Sequence, residues 1–126
     1  MDRTIVKTDK APAAVAAYSQ AVKANGFIFV SGQLGLDPGS GTLSGGGAAA
    51  QAEAALRNIR AILEAAGSDM AKVVKCTVLL ADIADYPEVN RVYATFFTKD
   101  PPARAAYAVG NLPLGARVEI EAIALA

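Results

Sequence analysis

The sequence predicts an α+β domain in which extended segments precede, separate and follow two helices. Three observations carry that prediction. Strand-like runs flank Asn25-Gly26, apolar residues recur at three- and four-residue spacing between Ala48 and Ala66, and apolar residues alternate through Val118, Ile120, Ala122 and Ala124. The 126 residues are one domain's length, read as a single unit over 1–126. A domain of this size buries roughly two thirds of the surface its unfolded chain exposes, so it needs no disulfide, metal or membrane to fold.

In chain order, residues 18–24 and 27–33 form the first hairpin, because Asn-Gly supplies the positive φ values that a two-residue turn requires. The first 40 residues are read as mostly sheet. Asp37-Pro38-Gly39-Ser40-Gly41 is a turn, and the glycine-rich stretch to Gly47 is an exposed flexible loop. That stretch has neither GxGxxG nor GxxxxGK[ST] spacing, and no lysine follows it at the helix start, which argues against a nucleotide-phosphate site. An amphipathic helix then runs from Ala48 to Ala66, with Gly67 as its stop.

Lys72 to Leu80 is rich in β-branched residues and reads as a buried strand. Asp85-Tyr86-Pro87-Glu88 matches a capping box, with Asp85 accepting from first-turn N–H groups and Glu88 reaching back. The helix it opens extends to about Phe97 and buries Val89, Val92, Tyr93 and Phe96. Two further strands, Ala103 to Val109 and Ala116 to Ala124, follow Pro101-Pro102 and are joined through residues 110–115. In the last strand Val118, Ile120, Ala122 and Ala124 share the face that packs under the helices. Glu119, Glu121 and Ile123 share the other, a partly buried polar surface.

Composition narrows the chemistry. The chain has no histidine and one cysteine, Cys76, which excludes Ser-His-Asp and Cys-His nucleophiles, histidine-containing zinc sites, CxxC motifs and internal disulfides. Chemistry must therefore use Arg, Lys, Asp, Glu, Tyr, Ser, Asn, backbone groups or water. Twelve Lys/Arg against twelve Asp/Glu removes the electrostatic footprint of a nucleic-acid-binding protein. Alanine supplies 28 residues, so tight backbone packing or oligomer contacts are expected. No apolar run is long enough to cross a membrane, and Met1 to Lys10 lacks the apolar stretch of a signal peptide, so a reducing cytoplasmic compartment is expected. A transit peptide removed earlier would leave no trace here.

Arg104 stands out as the one charge at the start of an apolar strand. A half-buried guanidinium needs an acidic partner: Glu119, Glu121, or the carboxylate of a ligand. The internal ion pair is the commoner arrangement, but the planar fork of arginine also suits a small carboxylic acid. Ser31-Gly32-Gln33 ends a strand where glycine permits close approach, either for ligand oxygens or as a simple bulge. Tyr18 and Asn90 have equally ordinary packing and solvent-facing explanations. Cys76, inside an apolar strand with no histidine to ionise it, reads as inert core.

Six blocks resemble the reactive intermediate deaminase (Rid, or YjgF) family, specifically its RidA-type members. They are Tyr18-Ser-Gln-Ala-Val22, Phe29-Val-Ser-Gly-Gln33, Val73-Val-Lys75, Val89-Asn-Arg-Val-Tyr93, Pro102-Ala-Arg-Ala-Ala-Tyr107 and Val118-Glu-Ile-Glu-Ala122. The blocks span nearly the whole chain in the expected order. The resemblance implies a chorismate-mutase-like mixed sheet with two helices on one face. It also implies a homotrimer with a central barrel and active sites in the clefts between subunits. The implied activity is cofactor-independent and metal-free hydrolysis of 2-imino acids, 2-iminobutanoate and 2-iminopropanoate, and of their enamines, to 2-keto acids and ammonia. The substrates would come from pyridoxal-phosphate-dependent dehydratases.

By resemblance Arg104 binds the substrate carboxylate and Glu119 positions or activates water. Tyr18, Ser31 and Asn90 line the cleft, and backbone around Gly32 and Ala106 holds the ligand. Relatives often carry Cys or Thr at Ala106, so no polar side-chain role transfers there. Ala16-Ala17 replaces the usual Gly-Pro, and Ala108-Val-Gly-Asn111 replaces the common Gln-Val-Ala-Ala, which bears on substrate preference or rate. Three other functions compete: a non-enzymatic carboxylate-binding trimer, RNA cleavage with translation inhibition, and a chaperone-like role. Zero net charge and the absence of histidine weigh against RNA cleavage.

Overall fold

The computed structural model describes residues 2–126. Its strands are β1 (Arg3–Val6), β2 (Ala21–Ala24), β3 (Phe27–Leu34), β4 (Val73–Leu80), β5 (Ala103–Ala108) and β6 (Val118–Leu125), forming one sheet in the order β1-β2-β3-β6-β4-β5. Neighbours are antiparallel except β4 and β5. That parallel pair needs a crossover, which helix α2 (Tyr86–Phe96) supplies, while α1 (Gly47–Ala65) connects β3 to β4. The α+β expectation, with one mixed sheet and two helices, holds.

The first hairpin turns at Asn25 (φ 53°) and Gly26 (φ 83°), pairing Ala24 with Phe27. Its first strand starts three residues later than expected. Tyr18, Ser19 and Gln20 lie outside the sheet, and the stretch from Lys7 to Gln20 carries no strand, so the first 40 residues are not mostly sheet. The cause is Gln20, whose buried amide is occupied by the preceding segment. Its oxygen accepts from Thr8 N (2.7 Å), and its nitrogen donates to the carbonyls of Thr8 (3.0 Å) and Pro12 (2.8 Å). The glycine-rich stretch is likewise more organised than a free loop: Asp37 N donates to Thr42 O at 2.9 Å, Gly41 N to Asp37 O at 2.8 Å, and Leu36 bridges Leu43.

Helix α1 ends in a Schellman arrangement, with Ser68 N donating to Leu63 O (2.8 Å), Gly67 N to Glu64 O (3.0 Å), and Gly67 at φ 84°. Its buried stripe of Ala52, Ala55, Leu56, Ile59, Ile62 and Leu63 packs on Ile28, Val30, Cys76, Val78, Ile120 and Ala122 of the sheet. Two buried polar residues fasten the helix to the strands. Asn58 donates to Leu36 O at 3.0 Å, and Gln51 accepts from Arg117 N at 2.8 Å.

The expected capping box does not form. Asp85 has helical φ and makes no side-chain cap. Its buried carboxylate accepts from Nε (3.0 Å) and Nη2 (2.6 Å) of Arg117, and Asp82 caps the preceding turn through Ala84 N (2.9 Å). Two charge-assisted bonds from a guanidinium fork outweigh one backbone cap. Val89 and Tyr93 are buried as expected, whereas Val92 and Phe96 are only half-buried.

The alternation predicted in β6 is observed: Val118, Ile120, Ala122 and Ala124 face the helices. Among the described residues no helix covers the opposite face, where Ile5, Phe29, Leu125 and Tyr107 remain 45–50% exposed. Among the described residues no helix is long and apolar enough to cross a membrane.

Candidate active site

Arg104 lies on the edge strand β5, in register with Cys76 and hence on the helix-covered face. Tyr86, Asn90 and Tyr93 occupy positions i, i+4 and i+7 of α2, a spacing that places them on one stripe of the helix. All three meet the guanidinium. Nη1 donates to Asn90 Oδ1 (2.7 Å), Nη2 donates to the Tyr86 hydroxyl, and the cation stacks on the rings of Tyr93 (4.8 Å) and Tyr86 (5.4 Å). Neither Glu119 nor Glu121 pairs with it. Among the described residues the ion pairs are Arg57 with Glu53 and Arg117 with Asp85, so Arg104 is a half-buried cation held by neutral groups. Beside it Ile83, Tyr86, Pro87 and Ala106 line a recess of about 450 Å³.

Glu119 belongs to a second depression, of about 750 Å³, whose lining includes Tyr18, Ser31, Gly32 and Leu114. The ladder between β3 and β6 shifts between Val30 and Gln33, so Gly32 does mark a bulge, and it also lets the carboxylate come close. A Cβ on Gly32 would sit 1.9 Å from Glu119 Oε2. Burial, and secondarily the charge of Glu121, push the Glu119 carboxyl above the usual range. Such a group can both hold a water and exchange a proton with it. The Ser31 hydroxyl donates to Ser19 O at 2.6 Å, which leaves it to act toward a ligand as an acceptor. The segment fastened by Gln20 supplies the remaining wall through Pro12, Ala13, Val15 and Ala16.

The expected residues thus fall into two groups: Tyr18, Ser31, Gly32 and Glu119 in one, Asn90, Arg104 and Ala106 in the other. Within a single chain they do not meet. Glu119 pairs with Leu79, and Arg104 with Cys76 three residues along the same strand, so strand alternation sends the two side chains to opposite faces of the sheet. Each chain carries two separate recesses, one with Arg104 and one with Glu119. Sequence reasoning missed Tyr86 as a partner of Arg104 and assigned Tyr93 only to the core; the Tyr86, Asn90, Tyr93 stripe was the available signal. Cys76 is inert as expected, 1% exposed with its thiol pushed up by burial.

The six-stranded sheet, the two helices and the two recesses that hold Arg104 and Glu119 define a class of small α+β protein with no metal-ligating cluster among the described residues. Residues 8–126 match the family described as Endoribonuclease L-PSP, the Rid/YjgF family, and the chain belongs to it. It is 57% identical over 123 residues to the rat protein named 2-iminobutanoate/2-iminopropanoate deaminase, covering 98% of this chain and 90% of that one. The human protein of the same name is 53% identical over the same shares. The crystal structure of RidA from the Antarctic bacterium Psychrobacter superposes with a TM-score of 0.94 at 47% identity, covering 98% of this chain and 99% of the other.

Proposed function

We propose that this chain is a deaminase that hydrolyses 2-iminobutanoate and 2-iminopropanoate to 2-keto acids and ammonia. It acts as a homotrimer whose sites combine the Arg104 half of one subunit with the Glu119 half of the next. The carrying observation is the Arg104 guanidinium itself, oriented by Asn90, Tyr86 and Tyr93 and without an acidic partner among the described residues. Its free donors suit the carboxylate of a small acid. The uncovered apolar face of the sheet supports assembly, because Phe29, Tyr107 and Leu125 would otherwise stay in water.

In this reading Arg104 anchors the carboxylate and places the imine carbon beside a water held by Glu119. The water oxygen bonds to that carbon as the C=N pair moves onto nitrogen, and Glu119 takes the water's proton. Glu119 then returns that proton to nitrogen, giving the carbinolamine; it next takes the hydroxyl proton and passes it to nitrogen as the C–N bond breaks, so the O–H pair becomes the carbonyl bond and ammonia leaves. Water is the only co-reactant. Proximity supplies most of the acceleration, since the imine already hydrolyses in water.

The test follows 2-ketobutanoate released when threonine dehydratase is coupled to this protein. Arg104→Ala and Glu119→Gln are each expected to abolish the acceleration. Co-refolding the two inactive variants in equal amounts should restore about a quarter of the activity, because roughly one site in four then receives both intact halves. Absence of recovery would overturn the shared site. Carboxylate binding with no acceleration in the parent protein would favour a non-enzymatic binder.

A further inference from the structure

We infer that the Tyr86 hydroxyl is a second substrate-binding group, donating its proton to the carboxylate that Arg104 anchors. This rests on the imine-hydrolysis reading and extends its binding half. Tyr86 occupies the first turn of α2, immediately before Pro87, and its ring lies under the guanidinium while its oxygen accepts from Nη2. A phenol that accepts one hydrogen bond keeps its own O–H as a donor. No acceptor within the chain takes that hydrogen among the hydrogen bonds of the described residues, and Tyr86 lines the same recess of about 450 Å³ as Arg104.

The geometry also creates a need for such a donor. Arg104 has five N–H groups. It commits one to Asn90 and one to Tyr86, so the donors nearest these two residues are already engaged. The Tyr86 hydroxyl returns what it takes: polarised by the cation, it becomes a stronger donor than an isolated phenol. A carboxylate entering the recess then meets the remaining guanidinium donors and the phenol together. The other walls, Ile83, Pro87 and Ala106, have no polar side-chain atom to offer. The buried Tyr93 hydroxyl, by contrast, lies with Cys76 in the interior and is closed to the ligand.

Tyr86→Phe removes the oxygen and keeps the ring on which the guanidinium stacks. The expected result is a rise of about tenfold in KM for 2-iminobutanoate, and in the dissociation constant of 2-ketobutanoate measured by calorimetry, with kcat and the melting temperature unchanged. A substitution that merely loosened the fold would not separate KM from kcat in this way. Parental KM and product affinity in Tyr86→Phe would overturn the inference, and so would a fall in kcat at constant KM, which would place the hydroxyl at the proton transfer instead. Arg104→Ala distinguishes the two levels. If it too leaves product binding intact, the carboxylate-anchor reading itself fails; if it abolishes binding while Tyr86→Phe does not alter it, only the role of Tyr86 falls.

Discussion

Replacing Gly32 by alanine isolates the contribution of the Glu119 carboxylate from that of the fold. The backbone there needs no glycine for its φ, since the positive-φ positions lie elsewhere, so alanine introduces no conformational strain. The conflict is with one side chain. The new Cβ would stand 1.9 Å from Glu119 Oε2, 2.9 Å from Cδ and 3.2 Å from Cγ, where ordinary contact begins at 3.4 Å. The carboxylate oxygen must therefore retreat by about 1.5 Å, the difference between 3.4 and 1.9 Å. It is the free end of a flexible chain, so it can do so by rotation, without moving β3 or β6.

A misplacement of about 1 Å can cost on the order of 10²-fold in rate. Gly32→Ala should then lower kcat about 10²-fold while KM, set at the Arg104 half-site, stays near the parent value. The coupled dehydratase assay reads both, and the melting temperature should move little. Because the substitution acts through Glu119, combining Gly32→Ala with Glu119→Ala should cost no more than Glu119→Ala alone. Full activity in Gly32→Ala, or full additivity in the double variant, would refute the assignment of Glu119 to the water.

Three other outcomes follow from the same coordinates. Gly35→Ala should destabilise the protein by about 1–3 kcal/mol in denaturant unfolding, because its Cβ would fall 2.5 Å from both the Cα and O of Gln51, backbone atoms of α1 that cannot rotate away. The folded Glu119 carboxyl keeps its proton above the ordinary 4.5, so in that window the folded chain binds a proton the unfolded chain releases, and stability falls as pH rises. Glu119→Gln should flatten that slope in pH-dependent melting and leave a protein at least as stable at neutral pH, while the parent's activity should rise with pH as the carboxylate ionises. Phe29→Glu, on the exposed sheet face, should yield monomers by sedimentation that keep the native circular dichroism but no longer accelerate imine hydrolysis.

What the sequence disclosed and what it hid divide along a physical line. Patterns that one element satisfies alone were readable: the Asn25-Gly26 turn, the α1 stripe closed by Gly67, and the alternation of β6 all match the observed elements. Polar side chains that choose among distant partners were not. Asp85 has the spacing of a cap, yet the guanidinium of Arg117, 32 residues away, takes it; Gln20 looks like strand, yet it holds Thr8 and Pro12. Arg104 shows the same limit most sharply. Residue types narrowed its partner to Glu119, Glu121 or a ligand, but its place beside Cys76, and that of Glu119 beside Leu79, put the two charges on opposite faces of one sheet. Bringing Glu119 to the face of Arg104 would need β6 to slip by a residue, which would also turn Val118 and Ile120 out of the core. The hydrophobic effect that sets the register therefore keeps Arg104 and Glu119 apart within a chain, which is why the proposed site draws one of them from each of two copies.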